Sequence, residues 1–290
     1  NASDFGIWIS AVALPAFAAG LIEDITKKVS VSFRLLATAI SAILGGLLLG
    51  GWLSKLAIPG IDTLMGYPLF AMAFTAFAVA GVANAFNIID GYNGLSSMVA
   101  IIILLGMAYV AEQVGDRDIM LTAFASAAAI AGFWIWNYPL GLIFLGDGGA
   151  YLIGFLVAEL SVLLVARNPD VSPWFPVLLA FYPIFETLFT IFRRLIIHKT
   201  HPGLPDAAHL HQLIYSKVVC WALGGDCPNN PNSKTKRNSL TSPFLWMMAS
   251  LTVIPAMLFY TDTQVLQLIA VLFGLVYVSF YLMLKIDLSI

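Results

Sequence analysis

The sequence predicts an all-α protein, a polytopic transmembrane bundle of about nine helices. Three observations carry that expectation. Sixty percent of the 290 residues are hydrophobic and 10% are charged, whereas soluble domains are roughly 45 to 50% apolar. Nine apolar stretches of 17 to 21 residues recur along the chain, each long enough to cross a hydrocarbon core as a helix, the open-ended element whose backbone is satisfied inside lipid. The Lys and Arg residues divide unevenly between alternate connections, 11 in one set and 3 in the other, which by the positive-inside rule makes the richer set cytoplasmic.

The stretches are Phe5 to Ile22, Leu35 to Leu53, Leu69 to Ile89, Leu95 to Ala111, Ile119 to Asn137, Gly149 to Ala166, Trp174 to Phe192, Phe244 to Tyr260 and Gln264 to Leu284. Pro15 and Pro183 are expected to kink the first and seventh. Ala42, Gly46 and Gly50 in the second give the small-residue spacing of close helix packing. Nine crossings place the N-terminus outside and the C-terminus inside. No basic residue precedes the first stretch, so it does not read as a secretory signal. Residues 1–290 read as one membrane domain, and 193–243 as a cytoplasmic connection expected to be flexible from Gly224 to Ser239. Cys220 and Cys227 lie in this connection and are expected to be free thiols, since that compartment is reducing. Their spacing, even with His209 and His211, departs from zinc-binding patterns. Net charge is −2 and the basic residues are scattered, which gives no nucleic-acid footprint.

Polar residues gather on the predicted cytoplasmic side. The third stretch ends in Asn84-Ala85-Phe86-Asn87-Ile88-Ile89-Asp90-Gly91-Tyr92-Asn93-Gly94-Leu95, where Asp90 meets the membrane boundary and Gly91 and Gly94 give the turn backbone freedom. Glu23 and Asp24 end the first stretch. Phe144-Leu145-Gly146-Asp147-Gly148-Gly149 precedes the sixth and puts a carboxylate in a glycine-rich turn at a helix N-terminus, where free N–H groups and the dipole favour a phosphate. A plain N-cap at Asp147 is the simpler alternative. Carboxylates beside a phosphate-favouring turn suggest Mg2+, with Mn2+ as an alternative, because magnesium takes one or two carboxylates plus substrate phosphates. Asn93 offers a further neutral oxygen. In the long connection, Arg193, Arg194, His209 and His211 read as an anion clamp, or more simply as a solvated loop. Glu186 reads as an interhelical bonding partner or as a pair for Arg193 and Arg194.

At these motifs the chain resembles the polyprenyl-phosphate N-acetylhexosamine-1-phosphate transferases, membrane enzymes that initiate peptidoglycan, O-antigen and related polymers on a lipid carrier. Gly20-Leu21-Ile22-Glu23-Asp24 resembles the family's acidic pair, and Asn84 to Leu95 its Asn-x-x-Asp-Gly-x-x-Gly-Leu element. Asn137 to Asp147 resembles its Asn and Phe-x-Gly-Asp element, and Pro205-Asp206 to His211 its loop motif. Four motifs in the family's order make the resemblance specific. Glu23 stands where the family usually has Asp, Asn93 where many members have a second Asp, and Ala207 where Arg is frequent. Gln212 replaces a His that the peptidoglycan branch would show in its triple-His loop, which points to the O-antigen and common-antigen branch. Family members usually carry about eleven helices, so two are expected ahead of this sequence.

The resemblance implies Mg-dependent transfer of a sugar 1-phosphate from a UDP-N-acetylhexosamine to undecaprenyl phosphate, with release of UMP, at the cytoplasmic face of the bacterial inner membrane. Asp147 and Asp90 are the expected metal residues. Asp24 is expected to orient or deprotonate the lipid phosphate, while His209, His211 and Arg194 hold phosphate oxygens. Glu23, Asn87, Asn93 and Asn137 are expected substrate contacts, with Phe144 placed to stack on uracil. A covalent phosphosugar–Asp intermediate and a homodimer stay open. The rival functions are phospho-N-acetylmuramoyl-pentapeptide transfer and, from another class, ion-coupled transport, which calls for midplane acids and repeated halves. No internal repeat is present.

Overall fold

A computed structural model describes residues 2–197, 199, 208–223 and 231–286. It is all-helical among these residues. Helix α1 (Ala2–Val12) and helix α2 (Leu14–Thr26) meet at a 45° bend, because Pro15 in the first turn of α2 has no N–H to continue the ladder from α1. Helix α3 (Val31–Leu49) starts at Ser30, whose Oγ accepts the Phe33 N–H at 3.2 Å. Helix α4 (Ile61–Met65) is a short turn, followed by α5 (Pro68–Ile89), α6 (Leu95–Gln113), α7 (Arg117–Asn137) and α8 (Gly146–Arg167).

The seventh apolar stretch does not form one continuous helix. It breaks at Ala180 into α9 (Trp174–Leu179) and α10 (Phe181–Phe192), because Pro183 cannot donate back to Leu179 and the kink expected there becomes a break one turn earlier. Among the described residues seven helices are long and apolar enough to cross a membrane, or eight if the bent α1–α2 pair is one span. The broken seventh stretch is not among them, because neither α9 nor α10 is long enough by itself.

After a π-helical turn at Arg193–Ile197 come α11 (Leu210–Leu213), a second π turn at Ile214–Val218 and α12 (Val219–Ala222). Helix α13 (Pro231–Leu258) and α14 (Thr263–Ile286) complete the bundle. Helix α13 corrects the predicted loop. Residues 231–239, expected to be flexible, are helical, and the 28-residue helix is about 42 Å long at 1.5 Å per residue, longer than a hydrocarbon core. Cys220 is disulfide-bonded, which corrects the expectation of two free thiols; that expectation used the compartment and not the geometry. Cys227, like Pro205, Asp206 and Ala207, lies outside the described residues.

Helix α8 is central, packing on α2, α3, α5, α6 and α7. Its middle is sealed: Tyr151, Phe155, Leu160 and Leu163 are fully buried. Large apolar side chains such as Leu69, Phe77, Phe124 and Leu251 point outward instead, as a lipid-facing surface requires.

Candidate active site

Glycine sets the geometry of the site. A Cβ on Gly20 would lie 2.6 Å from the Asp147 carbonyl and from the Gly148 Cα, so α2 runs in backbone contact with the start of α8. One turn later, the Asp24 carboxylate accepts the N–H groups of Asp147 and Gly148, both at 2.9 Å. Asp24 thus caps α8 from another helix, satisfying two of its otherwise orphaned donors. The expectation that this N-terminus keeps those donors free for a phosphate is corrected. Asp147 is not an N-cap either, because that position belongs to Leu145.

The Asp147 carboxylate is held from two sides. Asn87 Nδ2 donates to its Oδ1 at 2.7 Å, and Arg34 forms an ion pair with its Oδ2. Arg34 is 8% exposed and lies over the Tyr151 ring, 5.4 Å from its centroid. Sequence reasoning counted Arg34 only toward the topology. The signal was present, since a lone charge within an otherwise apolar helix needs a partner.

Asp90 follows the last residue of α5 and is half-buried. Burial, followed by the nearby carboxylates of Asp147 and Asp24, pushes its carboxyl up to about 7. No hydrogen bond to its side chain exists among the described residues. A carboxyl raised by burial and by neighbouring acids, with no hydrogen-bond partner among the described residues, is a fitting ligand for a cation, and Asp147 is the second candidate. Among the described residues no three His, Cys, Asp or Glu side chains converge to hold a metal alone. Two carboxylates are the protein share that magnesium takes, its other ligands being waters and substrate phosphate.

The histidine pair docks on this turn. His209 Nδ1 lies 3.0 Å from Glu186 Oε1 and 3.2 Å from Thr190 Oγ1, and Glu186 also accepts from Tyr277 Oη at 2.5 Å. Glu186 is therefore an interhelical partner, bound to α14 and the His segment. The Gln212 side chain accepts the His209 N–H at 3.0 Å, so the residue that interrupts the His run closes the turn. The imidazoles stack at 5.2 Å, and His211 meets Tyr92 edge-on at 5.4 Å. Its Nε2 would sit 3.2 Å from a Cβ at Gly91, so a side chain there would press on the His211 ring by a few tenths of an ångström. Arg194 is buried in the π turn after α10.

The other amides brace loops. Asn137 Oδ1 accepts the Gly94 N–H at 2.5 Å while its Nδ2 donates to the Ile143 carbonyl at 2.7 Å. Asn93 Nδ2 donates to the Pro139 carbonyl at 3.1 Å. Helix α13 clamps the same turn through residues spaced by four: Asn238 Oδ1 accepts from Asn93 N at 2.7 Å, Ser242 Oγ donates to Asn93 O at 2.6 Å, and Trp246 Nε1 donates to Gly94 O at 3.0 Å. That stripe explains why the polar start of α13 is helical. Glu23 closes the turn after α2, accepting the Val29 N–H at 2.6 Å. Phe144 is exposed and lines a cavity of about 440 Å³ with Tyr92, Tyr215 and Lys234.

The Glycosyl transferase family 4 model matches residues 7–165, the part that carries Asp24, Asp90 and Asp147. The chain is 28% identical over 209 residues to an undecaprenyl-phosphate alpha-N-acetylglucosaminyl 1-phosphate transferase of Thermotoga maritima, covering 72% of this chain and 62% of the relative. It is 33% identical over 148 residues to a probable undecaprenyl-phosphate N-acetylglucosaminyl 1-phosphate transferase of Bacillus subtilis, covering 51% and 40%. A phospho-N-acetylmuramoyl-pentapeptide-transferase of Streptococcus mutans is 30% identical over 154 residues, covering 50% and 45%. The chain thus spans between 40% and 62% of the length of these curated relatives.

Proposed function

The chain belongs to glycosyl transferase family 4, and from that premise we propose that it transfers an N-acetylhexosamine 1-phosphate from a UDP-sugar to undecaprenyl phosphate, releasing UMP. The observation that carries this reading is the meeting of Asp24, Asp90 and Asp147 at one end of the bundle, with Arg34 against Asp147 and His211 against Gly91, next to Asp90. The names of the Thermotoga and Bacillus relatives support the sugar and the lipid. The Lys and Arg bias supports placing this end at the cytoplasmic face of a bacterial inner membrane.

In the reaction an oxygen of the lipid phosphate attacks the sugar-bearing phosphorus, the P–O bond to UMP breaks, and its electron pair leaves with UMP. The second pKa of a phosphate monoester is about 6, so the nucleophile is already largely dianionic at neutral pH. Repulsion between phosphates is the main obstacle, and positioning and charge neutralisation answer it. Asp90 and Asp147 would hold a magnesium ion, which supplies positive charge at the phosphate oxygens when bound. Arg34 and Asn87 orient Asp147. Asp24, with both oxygens engaged by backbone N–H groups, serves to fix the start of α8 against α2. His209, His211 and Arg194 hold phosphate oxygens, and Phe144 stacks on uracil.

The test is UMP release by detergent-purified protein from a panel of UDP-N-acetylhexosamines, with undecaprenyl phosphate and magnesium. Lipid-dependent release that disappears in Asp147→Ala is expected. No release from any sugar by folded protein overturns the reading.

A further inference from the structure

Arg237 is a buried cation to which the roles above assign nothing. It is 7% exposed, its Nε has no hydrogen-bond partner, and among the described residues it forms no ion pair. Its one ring contact is with Tyr215, whose centroid lies 5.0 Å from the guanidinium carbon. A cation–π contact recovers only part of what a buried charge loses on leaving water. Among the described residues Arg237 therefore lacks a counter-charge.

Its location says where the counter-charge enters. Tyr215 lines the cavity of about 440 Å³, together with Gly91, Tyr92, Phe144, Lys234 and Asn238. That volume is in the range of small-ligand sites. Tyr215 packs on Tyr92 at 5.3 Å, Tyr92 on His211 at 5.4 Å, and the positive charge of Arg237 acts on the Tyr92 phenol. Arg237 thus lies over Tyr215 and His211 against Tyr92, while Lys234 lines the cavity that both rings border, beside the Asp90 turn. Two of the three come from α13, which lies outside the family-matched residues 7–165.

Resting on the transferase reading, we propose that Arg237, assisted by Lys234, is a phosphate-binding residue for the nucleotide-sugar, its guanidinium taking phosphate oxygens when the cavity is filled. The nucleotide is the favoured source over the lipid phosphate because the cavity is walled by aromatic rings and amides that suit a base.

The experiment is calorimetric binding of uridine, UMP and UDP to the full chain in detergent, comparing wild type, Arg237→Gln and Arg237→Lys. Charge-assisted hydrogen bonds of about 1.5 to 3 kcal/mol correspond to an expected loss of about 10- to 100-fold for UMP or UDP in Arg237→Gln. Uridine binding and the KM for undecaprenyl phosphate stay unchanged, and Arg237→Lys keeps most of the UDP affinity. The melting temperature of Arg237→Gln is equal to or above that of wild type, since an unpaired buried charge is removed. Equal losses for uridine and UDP, a lowered melting temperature, or a rise confined to the lipid KM each overturn the proposal. Wild type that binds UDP as tightly as Arg237→Gln rejects this proposal alone, whereas wild type that neither binds UDP nor releases UMP rejects the transferase reading and this proposal with it.

Discussion

The two ends of α8 carry polar clusters of opposite character. At its C-terminal end, Arg167 pairs with Asp116 at 3.3 Å and Asp118 at 3.2 Å and lies over the Phe5 ring. Asn168 Nδ2 donates to Asp116 Oδ2 at 3.1 Å, and Asp116 Oδ1 accepts the Ile119 N–H at 3.3 Å. Asp116 and Asp118 both have a cationic partner there. At the N-terminal end Arg34 pairs with Asp147 and an exposed Lys27 lies 3.8 Å from Asp24, while Asp90 has no hydrogen bond or ion pair among the described residues. Both ends have a cavity, about 390 Å³ at the C-terminal end and about 440 Å³ near the N-terminal one. Size therefore does not mark the site. Uncompensated charge does, because a polar cluster that only joins helices has no reason to leave a charge unpaired.

The largest effects should fall on the uncompensated end. Asp147→Asn and Asp90→Asn should each lower kcat for UMP release by at least about 100-fold, the scale of losing one charge-stabilising group. Asp116→Asn should leave kcat within a few-fold. An equal loss in Asp116→Asn would break the contrast between the ends. Arg34→Gln leaves Asp147 without its buried partner, and the expected destabilisation is about 3 kcal/mol, read by denaturant or thermal unfolding.

Asp90 sharpens the contrast through pH. A carboxyl raised to about 7 in the folded protein holds its proton more tightly than in the unfolded chain. Between the ordinary carboxylate range and about pH 7 the native state binds more protons, so stability falls as pH rises through that window and stays low above it. Without magnesium, Asp90→Asn should therefore gain melting temperature over wild type as pH climbs from 5 to 8. Added magnesium should narrow the gap by stabilising the ionised wild type. A gap independent of pH would mean that Asp90 ionises normally.

Much of this was legible in the sequence. Length and apolarity of each stretch specify spanning helices because the requirement is local, and the motif residues Asp24, Asp90 and Asp147 stood out as acids at segment ends. What escaped was non-local. Arg34 meets Asp147 across 113 positions and Asp24 caps a helix 123 positions away, and no periodicity records such pairings. The break at Ala180 depended on whether Pro183 would kink or interrupt its helix. The helical start of α13 depends on its Asn238, Ser242 and Trp246 meeting the Asn93–Gly94 turn, a contact that polar composition alone reads as loop.

The smallest expected effect belongs to the compensated end. Arg167 is only partly buried, with 35% of its side chain exposed, so solvent screens its bridges and each contributes at most about 1 kcal/mol. Arg167→Gln removes the cation but keeps an amide able to donate to one aspartate, which limits the loss further. The melting temperature should fall by a few degrees, and the fall should shrink as salt screens the wild-type bridges. Both kcat and the KM for the UDP-sugar should match wild type, because no charge at the other end of α8 changes its partners. A change in kcat with the fold intact would show that the two ends are coupled along α8, and charge balance would then no longer separate the mechanical end of this helix from its chemical one.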